Sequence, residues 1–145
     1  GTKIALRTLP LLGDLFVAEP FSERDITLTN LSGSFWLSKD NQRVFAVAAT
    51  AVNNASFPAW LIQIEGTIYN GIGKKVGQEI VFCGNEANAN LLESLTIRDI
   101  ATLQNLVPPK DFRIPAGQEV RCLLVFSKPP AAVAELEGRV VSAQF

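Results

Sequence analysis

The sequence contains no histidine and no methionine. Without histidine, the Ser-His-Asp and Cys-His nucleophile pairs, the HExxH zinc motif and the usual proton shuttle at neutral pH are all excluded. Without methionine a natural initiator is missing, and Gly1 reads as the residue left by a cleaved tag, so the chain is expected to be an excised piece of a longer protein. No apolar run approaches the roughly 18 to 20 residues that a bilayer-crossing helix needs. Asp14 interrupts the only apolar stretch near the start, Leu9 to Val17. These residues leave an upstream anchor or signal segment open.

Charge is sparse and balanced. The 13 basic and 14 acidic residues give a formal net charge of -1 and form no long run of either sign, so nucleic acid and anionic membrane surfaces are not expected partners. Cysteine is scarce too, with Cys83 and Cys122 alone.

What is present is apolar and strand-like. In 145 residues, 48% are hydrophobic and 19% charged, enough to bury a core in one domain spanning 1-145, with 1-24 as an N-terminal strap. From Trp60 to Tyr69 the side chains of Trp60, Ile62, Ile64, Gly66 and Ile68 alternate with Gln63, Glu65 and Thr67, as a half-buried strand requires. Asn70 to Gly73 then supply residues that tolerate positive φ, and Gln78 to Cys83 return as a second strand, predicting a hairpin. Arg43 to Asn53 is β-branched and small on both faces, predicting a central strand covered on both sides and ended by Asn53 to Pro58. Asp25 to Asn30 and Ser34 to Leu37 read as two short edge strands around Ser32-Gly33. Glu119 to Phe126 and Gly138 to Gln144 read as the last strands.

Between Cys83 and Glu119 the period changes. Thr96-Ile-Arg-Asp99 has the form of a capping box, and Ile97, Ile100, Leu103 and Leu106 follow at helical spacing, predicting a helix of about three turns that ends before Pro108-Pro109. Leu91, Leu92 and Leu95 predict a shorter helical turn before it. The expected fold is an immunoglobulin-like antiparallel β-sandwich of about seven strands with a helical insertion over about residues 86-107.

An ordered set of motifs runs through the second part of the chain: Val52-Asn53-Asn54, Trp60 to Tyr69-Asn70 with Gly73, Val81-Phe82-Cys83-Gly84-Asn85 before a leucine-rich helix, Ile114-Pro115-Ala116-Gly117, and Leu123 to Ser127. Over residues 43-145 this set resembles domain-of-unknown-function family 3426. The resemblance implies a bacterial β-sandwich related to domains with a Phe-x-Leu-Tyr-Asp motif. Such domains usually follow a small zinc ribbon and one membrane-spanning helix, and lie on the periplasmic side of the inner membrane. It implies no activity. Asn70 stands where the family's turn aspartate is common, and Cys122 matches no family pattern.

The two cysteines allow a disulfide, a reactive thiol or plain packing. On strand parity Cys122 shares an inward face with Val120, Leu124 and Phe126, whereas Cys83 lies opposite Ile80 and Phe82, so the sulfurs are expected to face different ways. Cys83 has no histidine or Cys-x-x-Cys partner to make it catalytic. It reads as a small hydrophobe where strand meets helix, with Gly84 supplying a conformation other residues resist and Asn85 bonding its own local backbone.

The Gly71 to Gly77 cluster lacks the Lys-Ser/Thr ending and following helix of a phosphate loop and reads as a hairpin turn. Asn30 and Asn54 head formal glycosylation motifs of no consequence in a bacterial protein. Glu65, Glu79 and Glu119 read as strand-face charges rather than an acid/base pair. Phe35, Trp36, Phe57 and Trp60 are the candidate partner-binding residues, although core packing is the more ordinary role for such aromatics, and an edge near Ile26 to Asn30 is open to strand addition.

No cofactor or metal is expected. The reading is a non-catalytic interaction or scaffolding module, meeting an unknown protein or itself and touching the membrane only through an anchor outside this chain. The alternatives are a module for a small apolar or carbohydrate ligand, and a thiol-dependent redox protein.

Overall fold

The structure, a computed structural model, describes residues 3-5, 16-17, 25-84 and 89-145. Most of the 1-24 strap and the role expected of Asn85 lie outside these residues. Among the described residues eight strands run β1 (Lys3–Ala5), β2 (Phe16–Val17), β3 (Ile26–Leu37), β4 (Arg43–Asn53), β5 (Trp60–Tyr69), β6 (Lys75–Phe82), β7 (Glu119–Phe126) and β8 (Glu135–Gln144), with a 3-10 helix (Ala89–Ser94) and α1 (Ile97–Gln104) between β6 and β7. They form two antiparallel sheets, ordered β1-β8-β5-β6 and β2-β3-β4-β7. The mainly β, two-layer sandwich with a short helical insertion that the two-residue alternation predicts is the observed architecture.

The alternation sets the core directly, because successive side chains on a strand point to opposite faces. On β4, Phe45, Val47, Ala49 and Ala51 face the other sheet, and there they meet Ile62, Ile64 and Ile68 of β5 with Leu136 and Val140 of β8. The other parity of β4 is just as apolar. Val44 and Ala46, with Leu123 and Val125 of β7, pack beneath Leu92 of the 3-10 helix and Ile100 of α1. The insertion is thus a third layer on the outer face of one sheet, which explains why β4 is apolar on both faces.

Two elements differ from expectation. The two short strands around Ser32-Gly33 are one strand, β3, with a register shift between Thr29 and Ser32 and Asn30 at φ 53°. The turn-like residues mark a β-bulge, which steps the inward face from Ile26 and Leu28 to Leu31. A side chain at Gly33 would meet the Phe45 ring at 2.5 Å, so glycine stands there to admit a large neighbour. The helix is shorter than three turns and stops at Gln104, its C-terminus closed by the Asn105 and Leu106 amides, which donate to Thr102 O and Leu103 O.

The capping box is formed as expected: Thr96 accepts from the Asp99 amide at 3.2 Å while Asp99 accepts from the Thr96 amide at 3.1 Å. Asp40, from the β3–β4 turn, adds a tertiary cap by accepting from the Ile97 amide at 3.3 Å. Its hydrogen bond from the Ser38 hydroxyl, helped by backbone amides that include Ile97, holds its carboxyl below the ordinary value of 3.8. A depressed carboxyl pKa stabilises the fold above the unfolded-state value and that stabilisation is lost as pH falls through the folded one. Hydrogen exchange at the first amides of α1 should therefore accelerate beyond the intrinsic trend as pH drops below 3.8, and Asp40→Asn should remove that pH dependence.

Candidate functional site: the disulfide and the sheet edges

Cys83 and Cys122 form a disulfide, with Cα atoms 4.3 Å apart and 39 residues between them in sequence. This corrects the unpaired reading. The parity argument assigned β6 the wrong inward face: Ile80 is 46% exposed, whereas Val81 and Cys83 are each 2% exposed. Cys83 lies just past β6 but stays in register, its amide donating to Ile62 O at 2.8 Å. The next residue turns toward the other sheet, where the Gly84 amide donates to Arg121 O at 2.9 Å. The bond therefore ties the edge of one sheet to the edge of the other, inside the main core. No metal-holding group of His, Cys, Asp or Glu occurs among the described residues.

Gly84 is held at φ 91°, and a Cβ there would come within 2.5 Å of the Phe112 ring. Conformation and space both require glycine at this crossing. Gly84→Ala should cost about 2 kcal/mol, measured by denaturant melting. Gly71→Ala, where nothing lies within 4 Å, should be close to neutral.

The four candidate aromatics do not gather into one site. Phe35 lies edge-on to Phe45 at 4.8 Å and under the Arg43 guanidinium at 3.6 Å, while that guanidinium donates to Pro130 O and Ala131 O at 2.8 and 2.7 Å. Trp36, on the other face of β3, packs beside Val44 in the outer cluster, its indole N–H donating to Ser34 Oγ at 2.7 Å. Trp60 lies beneath the Arg113 guanidinium at 4.2 Å, and Phe57 is 66% exposed. The two pairs flank opposite ends of β4, which at about 3.3 Å per residue separates Phe45 from Asn53 by roughly 26 Å.

Asn53 closes the Phe57 end. It is fully buried, yet its Nδ2 donates to Phe57 O at 2.8 Å and Ile114 O at 3.0 Å, and its Oδ1 accepts from the Ala55 amide at 2.9 Å. Both side-chain polar atoms are used, so it pins the β4–β5 loop and the segment before β7 to one sheet end. The expectation that Asn53 merely terminates its strand missed this. Two clefts nearby, of ≈ 190 and ≈ 460 Å³, are shallow and share Asp25 and Phe145.

How the sheets end matters more, since an unpaired edge offers backbone donors and acceptors to any passing strand. β7 is sealed by a side chain. The Gln104 amide, at the end of α1, donates to Leu123 O at 3.2 Å and accepts from the Val125 amide at 2.8 Å, occupying the positions a neighbouring strand would take. Gly84 covers Arg121 O. No sequence pattern marks Gln104 for this task. β2 covers the β3 edge only at Ser32 and Gly33, so Ile26 to Thr29, where an open edge is expected, pair with β4 alone among the described residues, and β1 covers β8 at Glu137 to Arg139.

Among the described residues β6 pairs with β5 alone along its whole length. The Cys83–Ile62 bond fixes the phase of the ladder, so in an antiparallel pair the amides and carbonyls of Val81 and Glu79 point to β5, while those of Gln78, Ile80 and Phe82 point outward. Among the described residues these outward groups meet no strand. Ile72, at the tip of the β5–β6 turn, is 87% exposed. Midway along the edge is Glu79, whose carboxyl burial pushes above its ordinary value. Glu65, by contrast, is paired with Arg139 at 2.6 Å.

Neither a curated protein nor a solved structure matches the chain. The sequence profile described as "Protein of unknown function (DUF3426)" matches residues 26–137, from the start of β3 into β8 and across both cysteines. With that span covered, the chain belongs to the DUF3426 family.

Proposed function

We propose that this chain is a non-catalytic interaction module working on the periplasmic side of a bacterial inner membrane, held there by an anchor outside the chain, and that it engages a protein through the β6 edge. The observation that carries the reading is the row of outward backbone groups on Gln78, Ile80 and Phe82, which meet no strand among the described residues, beside a β7 edge sealed by Gln104. The disulfide supports the compartment, because such bonds persist in oxidising environments and are rare in the cytosol. The lack of histidine supports the absence of acid/base chemistry.

The ligand-binding alternative has less behind it. The open groove beside the helical insertion, lined by Asn30, Ala48, Thr50, Ala89, Arg121 and Leu123, holds ≈ 220 Å³, below the roughly 300–1,000 Å³ of ordinary ligand sites, and the ≈ 460 Å³ cleft at the Phe57 end is shallow and lined by few apolar side chains. The thiol-redox alternative requires a sulfur within reach of an attacking thiolate, and both sulfurs here belong to residues only 2% exposed.

The test is photo-cross-linking in the native host, with the reactive residue at position 80 on β6 or at exposed position 98 on α1. Adducts from position 80 alone support docking at the edge. Gln78→Pro should then abolish them, since it removes an outward N–H without touching the β5 ladder. Equal adducts from both positions, or none from position 80, overturn the reading.

A further inference from the structure

The β6 edge carries a charge as well as unpaired backbone groups. Its regular part is short. The β5–β6 ladder is continuous from Gln63↔Phe82 to Ile68↔Gly77 and then shifts, with Tyr69 opposite Lys75, so Val76 is a bulged residue that bends the edge away beyond Gly77. At the other end Gly84 leaves for β7. An incoming strand is therefore limited to the span from Gly77 to Phe82. Within it, Ile80 is a large apolar side chain on the outer face, and Glu79 stands on the opposite parity, where β6 meets the lip of the sandwich.

Glu79 has no ion-pair or hydrogen-bond partner among the described residues. Glu79 is exposed, and the partial desolvation of its carboxyl already raises its pKa; a strand laid along the edge would take the carboxylate further from water. A like charge directly opposite would be repelled and an opposite charge attracted, by about 0.2–1 kcal/mol for a cross-strand pair. A second copy of β6 fits poorly. The antiparallel register centred on Glu79 sets two carboxylates face to face, the one centred on Ile80 leaves both facing Val81, and the one that brings Lys75 to Glu79 runs through the bulge at Val76.

Resting on the edge-docking reading above, we infer that the occupant of the β6 edge is an extended segment of another protein, carrying a lysine or arginine opposite Glu79 between apolar residues that cover Ile80 and the outer face. The basic side chain neutralises the one charge the edge offers, while its two neighbours, on the other parity, pack where Ile80 is exposed. An acidic segment is rejected at the same position.

Two capped heptapeptides test this by NMR titration of the whole chain: Thr-Thr-Val-Lys-Val-Thr-Thr, and its counterpart with glutamate in place of lysine. The lysine peptide should shift the amides of Gln78, Ile80 and Phe82 and bind at least fivefold more tightly than the glutamate peptide. Glu79→Lys, a change at an exposed position, should reverse that order. Equal binding of both peptides, shifts centred away from β6, or β6 amides that broaden with protein concentration when no peptide is present (a second copy on the edge) would each overturn the inference. If the peptides fail to discriminate while position 80 still cross-links to a host protein, charge selection falls and edge docking stands; if both fail, both fall.

Discussion

Removing the Cys83–Cys122 bond should lower unfolding stability by about 4 kcal/mol. In the chain-entropy account a cross-link stabilises by restricting the unfolded chain, and a closed loop of about 40 residues corresponds to about 4 kcal/mol at 25 °C. At this chain length each kcal/mol moves Tm by roughly 2–4 °C, so Cys83→Ala/Cys122→Ala should melt about 8–16 °C lower. The two single substitutions should each cost nearly as much as the double one, because either alone removes the same bond. Reductant should destabilise the native protein and leave the double variant unchanged. A fall in Tm of only a degree or two would mean that packing around the two sulfurs, and not the covalent tie between sheets, holds this corner.

Phe45→Ala should cost about 3–5 kcal/mol, the range for emptying a buried phenylalanine site. Phe45 is fully buried, 4.8 Å from the Phe35 ring and 6.4 Å from Phe126, in the layer where the two sheets meet. Its contact with Gly33 makes a sharper test. A methyl group at Gly33 would fall 2.5 Å from the Phe45 ring, so Gly33→Ala alone should overpack the core by about 1–3 kcal/mol. In the Phe45→Ala background the same methyl enters a cavity, and its penalty should largely vanish. Additive effects in chemical denaturation would show that the two residues do not share space.

Much of this layering is legible in the residues. The alternation from Trp60 to Ile68 gives the inward face of β5, the small and branched residues of β4 require cover on both sides, and Thr96 with Asp99 announces the start of α1. What is not legible has a physical cause in each case. On an edge strand the solvent face need not be polar, so Ile80 and Phe82 outvote Gly77, Glu79 and Val81 in any pattern count, and that misdirects Cys83. Around Asn30 and Gly33 the residues of a bulge and of a close ring contact are also those of a turn, so β3 reads as two strands. Gln104 seals β7 through a contact 19 residues away in sequence, and Asn53 pins Ile114 across 61. Neither carries a local signal, because each is an ordinary polar residue whose task is set by what folds against it.

The staple across the two sheets, and the oxidising compartment proposed for it, are tested most directly by trapping thiols in living cells of the native host before lysis, then mapping the protein without reductant. The account predicts one linked peptide pair joining Cys83 to Cys122 and no alkylated cysteine. Recovery of both residues as alkylated thiols would contradict it.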